Sequence, residues 1–285
     1  MNQLAARMGN AVTYRANSPL SDDQIARIAP SVFAAEKHES RSERYAYIPT
    51  IEVLNGLRRE GFQPFSVSQG RSRIAGKAEF TKHMLRLRHA DQSHLALKGG
   101  QVGEEVNEIV LINSHDGTSS YQMMSGVFRL ICSNGMVVQT ETLNDVRIKH
   151  SGDVIQAVTQ GAYDVLDGFG IIRDVTENMK ALRLTAPEAM IFADAALSIK
   201  YDEEDSPAPF AARELVRPRR REDTNPDLWT TFNVIQENLV RGGIAGRTAD
   251  GRRTRTREVT AIDSNVKLNR ALWTLAERMA ELKAA

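Results

Sequence analysis

One cysteine, Cys132, is the whole thiol complement of this 285-residue chain. An internal disulfide and every zinc site built on several cysteines are thereby excluded, as suits a reducing compartment. Long apolar runs are missing too. No apolar stretch of roughly eighteen residues occurs, and the N-terminus, MNQLAARMGN, lacks the apolar core of an export signal. These absences predict a cytoplasmic protein with no membrane partner. Net charge is nearly absent as well: 37 cations oppose 36 acids, leaving +1, so bulk electrostatics draws the chain to no polyanion. The 41% hydrophobic content is enough to bury a core, in one large domain or two of ordinary size.

Motifs of catalysis are equally scarce. No G-x-S-x-G, H-E-x-x-H, G-x-G-x-x-G or cysteine pair occurs. Gly70-Arg-Ser-Arg-Ile-Ala-Gly76-Lys77-Ala78 imitates a phosphate-binding P-loop. It has one residue too many between its glycines, and Ala78 stands where the magnesium-binding hydroxyl belongs. His83 and His89 share a strand face, but six residues of strand span roughly 20 Å, too far for one ion. His94, His115 and His150 stand isolated in loops, and Cys132 has no histidine near it in sequence. Asp164 and Asp167 fall on successive turns of a helix, a pattern better read as a solvated face than as a metal site. The sequence therefore predicts no catalytic residue, no metal and no cofactor.

Secondary structure is legible from caps and alternation. Ser21-Asp-Asp-Gln24 is a capping box, and Pro49 to Gly61 has Pro near the first turn, Leu54 and Leu57 on one face, and Gly61 at the C-terminus. Extended segments follow at Phe62 to Gln69, Lys82 to Ala90, Val106 to Asn113, Tyr121 to Cys132 and Met136 to Gln139. Asp116-Gly117 and Asn134-Gly135 read as type I′ hairpin turns. Apolar residues from Val154 to Met179 then recur every three or four positions, the mark of a long helix, with Gly168 and Gly170 weakening its middle. A second capping box, Thr185-Ala-Pro-Glu188, opens a helix to about Tyr201. Two amphipathic helices near the C-terminus, with Leu228, Phe232, Ile235 and Leu239 in one and Leu268, Leu272, Leu275, Met279 and Leu282 in the other, predict a helical hairpin. The expected fold is α+β: an antiparallel β-meander followed by a long helix, plus that C-terminal hairpin. The expected division is a helical segment at 1–45, an α+β core at 46–201, a Pro-rich linker at 202–227 and the hairpin with its Arg-rich loop at 228–285.

Charge is distributed unevenly within this neutral total. Of the 37 cations 28 are arginine, whose planar fork binds phosphate in two places. Two clusters stand out. Arg71, Arg73, Lys77, Arg86 and Arg88 accompany Lys82 against Glu79 alone, and Arg247, Arg252, Arg253, Arg255 and Arg257 accompany Arg241 against Asp250 alone. In the strand Lys82 to Ala90, Leu85 and Leu87 point one way and Arg86 and Arg88 the other, predicting one core face and one basic face. Arg129 joins that basic face if the register allows. For "GRTADGRRTRTRE", residues 246–258, the alternatives are a solvated loop and a polyanion contact; the interspersed Thr248, Thr254 and Thr256 and the glycines favour the second.

The run "WTTFNVIQENLVRGGIAGRTADGRRTRTREVTAIDSNVKLNRALWTLAERM", with "LRLRHA" and "FRLICSNGMVV", resembles a phage and plasmid protein family catalogued as domain of unknown function 932. That resemblance covers the chain from about Ala46 onward and implies a mobile-element setting in bacteria. In order of elements alone, helix, meander and long helix are similar to the β-β-β-α core of Rad52-type single-strand annealing proteins. This second likeness implies rings that hold single-stranded DNA in a basic groove beside the sheet.

The expectation is thus a non-enzymatic protein of a mobile element that binds single-stranded DNA for annealing or protection as a homo-oligomer. Its phosphate contacts would be Arg86, Arg88 and Arg129 on the sheet and Arg247 to Arg257 in the loop, with Arg71, Arg73 and Lys77 beside them. Two alternatives stand beside it: an anti-defence protein engaging a host protein, and a metal-dependent enzyme acting on nucleic acid.

Overall fold

Caps and strand alternation account for most of the architecture in the computed structural model. It describes residues 11–42, 45, 47–72, 74, 76–89, 105–129, 134–138, 146–148, 154–202 and 206–284, with backbone alone at 134, 148 and 154–159. The fold is α+β. The chain divides into two compact units, Gly9–Phe169 and Gly170–Ala285.

The first unit is a curled antiparallel sheet with helices on one face. Its elements are β1 (Ala11–Arg15), α1 (Asp22–Ile28), a 3-10 turn at Pro30–Phe33, α2 (Thr50–Arg59), β2 (Phe62–Gly70), β3 (His83–His89), β4 (Glu105–Asn113), β5 (Tyr121–Arg129), β6 (Asn134–Val137), β7 (Val146–Ile148) and the part of the long helix α3 (Val154–Ala181) up to Phe169. Strands β1 to β6 pair in sequence order, and β7 also pairs with β5. In α1 the predicted capping box forms: the Ser21 hydroxyl accepts from the Gln24 N–H, and the Gln24 side chain accepts from the Ser21 N–H. Leu54 and Leu57 of α2 are buried as their spacing requires. They pack with Ile25, Val67, Leu85, Leu87, Ile109, Leu111, Met123 and Val165 into one apolar cluster. Burial of each such side chain contributes about 1.5–3 kcal/mol before entropy is subtracted.

Both predicted I′ turns are replaced by something else. Between β4 and β5 the connection runs from 114 to 120; the Asp116 carboxylate accepts from the N–H and hydroxyl of Thr118, and Gly117 takes φ +74°. Asn134 and Gly135 lie inside β6, opposite Arg129 and Phe128. Glycine is needed at 135 because an added Cβ would stand 2.4 Å from the Arg86 guanidinium carbon. The end of the predicted strand at 130–132 lies outside the described residues. Strands β1 and β7 carry too short a pattern to be read from sequence, and both exist by pairing at the sheet edge.

At one end of the sheet, polar side chains fill the interior. His83 is fully buried, with Nδ1 2.8 Å from the Ser31 hydroxyl and Nε2 2.9 Å from the Thr50 hydroxyl. Ser31 donates to the Gln69 carbonyl (2.6 Å), and Asn113 donates to the Thr50 hydroxyl (3.0 Å). His115, isolated in sequence, has its ring centroid 5.4 Å from that of His83. Together these bonds tie the 3-10 turn and α2 to β2, β3 and β4. Among the described residues no three His, Cys, Asp or Glu side chains gather as metal ligands, and no helix is long and apolar enough to cross a membrane.

The second unit holds α4 (Ala186–Lys200), α5 (Leu228–Arg241), a two-stranded ribbon of β8 (Ala245–Arg247) and β9 (Arg253–Arg255), and α6 (Ile262–Ala284). Helices α5 and α6 pack together, as the hairpin reading expects, and α4 packs on both. Their shared core is a ring cluster: Trp273 meets Trp229 at 6.2 Å and Phe232 at 5.9 Å, both edge-to-face. The Gln236 amide donates to Asn269 across the two helices at 2.6 Å. Within 206–227 the chain forms 3-10 turns at Ala212–Glu214 and Arg221–Asp223 and buries Leu215 completely.

Burial, helped by the neighbouring His115, lowers the His83 pKa from the usual 6.5 to about 3. Between those values the unfolded chain binds a proton that the folded one refuses, so this group's contribution to stability is full above pH 6.5 and is lost as pH falls. The slope reaches about 1.4 kcal/mol per pH unit for one such group. Urea midpoints measured from pH 8 to pH 5 should fall more steeply for the wild type than for His83→Gln. Parallel curves would contradict this.

Candidate nucleic-acid interface

The two arginine clusters meet opposite fates. Arg86 and Arg88 are 4% and 2% exposed, on a sheet face that is buried rather than open. The predicted basic surface there is corrected: both faces of the central strands are interior. Glu108 of β4, itself fully buried, accepts from Arg86 Nε at 2.5 Å with one oxygen and from Arg88 Nε at 2.9 Å with the other. Arg86 also donates to the Met136 carbonyl at 2.7 Å. The Arg88 guanidinium lies over Phe128 at 3.7 Å and Phe65 at 4.6 Å, so aromatic faces supplement the single carboxylate. A buried charge must be paired, and alternation alone does not reveal the pairing residue.

Arg129 does not join them. Register places Arg86 with Val110 and Val110 with Met124, so Phe128 shares the arginine face while Arg129 is on the other, where it is 5% exposed. In the β2–β3 connection Arg71 is exposed, and Lys77 pairs with Asp116 at 3.5 Å. Arg73 lies outside the described residues.

The C-terminal cluster, by contrast, is both ordered and exposed. Residues 245–255 form a β-ribbon in which Ala245 pairs with Arg255, Gly246 with Thr254, and Arg247 with Arg253. Pairing and two-residue periodicity therefore put Arg247, Arg253 and Arg255 on one face, and all three are exposed. The other face rests on Pro209. The Arg247 N–H donates to the Pro209 carbonyl at 2.7 Å, and a Cβ on Gly246 would stand 2.0 Å from that same oxygen. Glycine is thus required at 246 for close approach, a constraint no local sequence signal announces.

Both ends of the ribbon are tied down. At the tip, Thr248 N–H donates to the Arg252 carbonyl (3.0 Å), Gly251 takes φ +81°, and Arg252 pairs with Asp250 at 3.0 Å. At the base, Gly243 N–H donates to the Thr256 carbonyl and Thr256 N–H to that of Ile244. Arg219 holds the neighbouring chain through Asn238 (2.7 Å) and the Gly242 carbonyl (2.5 Å), while Arg220 and Arg241 share the buried Glu237 at 2.6 and 2.8 Å. Arg253 and Arg257 make no ion pair among the described residues. Arg247 and Arg255 are held only by backbone carbonyls, at 2.9 and 3.3 Å. Two arginines directly across a ribbon repel by about 0.2–1 kcal/mol, a cost that an anion laid over the face would cancel.

The fold and this ribbon define an α+β protein carrying an exposed arginine face on its C-terminal helical unit. The chain belongs to the family described as Domain of unknown function (DUF932), which matches residues 37–273, from ahead of α2 through the ribbon to the first half of α6. It is 48% identical over 279 residues to UPF0380 protein YafZ of Escherichia coli K12, covering 98% of each chain. The same figures hold for UPF0380 protein YfjQ of that strain. No solved structure matches, so the likeness in element order to Rad52-type proteins gains no support there.

Removing the shared carboxylate should leave two buried guanidiniums without a counter-charge. Glu108→Gln is expected to cost about 3–5 kcal/mol of unfolding free energy in urea titration, whereas Arg86→Met, Glu108→Gln and Arg88→Met combined should recover much of that loss.

Proposed function

We propose that this protein is a non-catalytic nucleic-acid-binding protein of the bacterial cytoplasm, and that it holds a single DNA strand by its phosphates on the β8–β9 ribbon. The observation that carries this reading is the exposed, like-charged face of Arg247, Arg253 and Arg255, fixed against Pro209 by Gly246. Arg252 and Arg257, also exposed, extend it at either end of β9. Arginines on one strand at two-residue spacing stand roughly 7 Å apart, and neighbouring strands lie about 5 Å apart. A narrow track of that kind suits one flexible backbone, which can bend to bring successive phosphates to successive guanidiniums. No large apolar side chain is exposed on the ribbon, so affinity comes from charge rather than from base stacking. Arg86, Arg88 and Arg129 take no part, being buried.

Fluorescence anisotropy with a labelled oligonucleotide tests this directly. If about three to five phosphates are neutralised, the slope of log K against log salt should be roughly −2 to −3.5 for a single strand. Replacing Arg247, Arg253 and Arg255 together by alanine should lower affinity at least tenfold at low salt and flatten that slope by about 2. Gly246→Val removes no charge, yet should weaken binding by pushing the ribbon off Pro209. Unchanged affinity in the triple variant would overturn the ribbon as the contact, and tighter binding to duplex would overturn the strand preference. Arg253→Thr should weaken binding while raising the thermal midpoint slightly, because it removes the cross-strand repulsion.

A further inference from the structure

A groove of about 740 Å³ lies in the first unit, walled by α2 and the first half of α3. Its floor is apolar: Leu57, Phe62, Ala162, Leu166 and Phe169 line it. On the α2 side the groove-facing stripe runs Glu52, Val53, Gly56, Arg59 and Glu60, with the glycine at its centre. Glycine in a helix interior costs about 1 kcal/mol against alanine, so its presence there needs a reason. A Cβ at Gly56 would meet nothing nearer than the end of the Arg59 side chain at 3.8 Å, so packing within the chain does not demand it. What the bare backbone offers is close approach for something outside the chain. Glu52, Arg59 and Glu60 at the rim are exposed and make no ion pair among the described residues, which leaves charges of both signs uncommitted.

A surface of matching character lies on α6. Ala271, Leu275, Arg278 and Leu282 fall on one stripe at helical spacing, beside the face that packs on α4 and α5. Leu282 is 71% exposed, and Leu275 is half-buried. Arg278 is engaged by Glu281 of its own helix at 2.8 Å, an exposed pair of small energetic worth that exchanges partners at little cost. Two leucines two turns apart, with a cation between them and an acid next to it, complement an apolar trough rimmed by two acids and an arginine.

We propose that this groove is the seat of a second copy of the chain: the α6 stripe of one molecule docks between α2 and α3 of the next, Leu275 and Leu282 entering the trough and Arg278 facing Glu52 and Glu60. Donor and acceptor surfaces differ, so the contact is heterologous. Repeated, it builds an open chain of subunits or a closed ring, of which two copies exchanging stripes reciprocally are the smallest. Such an assembly repeats the arginine ribbon at a fixed interval, although the contact stands whether or not the ribbon binds nucleic acid.

Sedimentation velocity on the 285-residue chain over the micromolar range tests the contact. The wild type should associate with rising concentration. Leu282→Glu removes the anchor at an exposed position, and Gly56→Gln blocks the trough where the free chain has room and the helix gains propensity. Each variant should keep its far-ultraviolet spectrum and weaken association at least tenfold. Mixed, the two retain one intact groove and one intact stripe between them and should form a 1:1 pair that grows no further. A monomeric wild type, a variant that assembles as the wild type does, or a mixture that stays monomeric would each overturn the proposal.

Discussion

Two guanidiniums share one buried carboxylate, and the sheet is organised around that arrangement. Leaving a charge inside a protein without a partner costs several kcal/mol, so Arg86, Arg88 and Glu108 must be placed together whenever the chain folds. Since Arg86 also reaches the Met136 carbonyl, the clamp spans from β3 through β4 to β6. A one-residue slip in any of these strands would turn its side chains to the opposite face and break the pairing. Glycine at 135 completes the constraint, because a Cβ there would press on the Arg86 guanidinium, while one at 126 would first meet Val110 and the Met136 carbonyl. The register of β3 against β4 and the missing side chain at 135 thus follow from a single electrostatic requirement.

That requirement also decides where function is not. A strand alternating Leu and Arg has two readings: half solvated, or wholly buried with the charges neutralised inside. The sequence pattern is identical in both, and the difference lies in a glutamate about twenty positions away and in two phenylalanines that stack on Arg88. Alternation in Lys82 to Ala90 was therefore enough to place the strand and its faces, but not to say which face meets water. Histidines show the same limit. His115 has no partner near it in sequence, and its neighbour His83 is brought to it by the pairing of β3 with β4. Helices, with their caps at Ser21 and Thr185, were readable because a cap is satisfied within three residues.

The ribbon shows the converse case, in which local composition was informative and tertiary context supplied its meaning. Five arginines with threonines and glycines suggest an anion contact whether the segment is a coil or a strand pair. Only pairing reveals that Arg247, Arg253 and Arg255 share a face, and only Pro209, well outside the segment, reveals why residue 246 carries no side chain. Thr254 and Gly246 are small where the ribbon meets its support; the long cations occupy the alternate positions.

Between the two clusters the chain spends its arginines in physically distinct ways. In the sheet, charge is desolvated, matched and immobile, and its effect is to specify one packing of the strands. On the ribbon, charge of one sign is left solvated and unmatched, opposite its own kind across a pair of short strands. The first arrangement contributes to folding and offers nothing to a ligand; the second opposes folding slightly and is relieved only by something negative from outside. A surface that is paired, exposed and locally unfavourable in the free chain is the kind of feature whose rationale lies beyond the fold. The same logic applies to Gly56, which weakens α2 for no gain within the chain, and it is why partners are proposed at the ribbon and the groove rather than at the buried arginines.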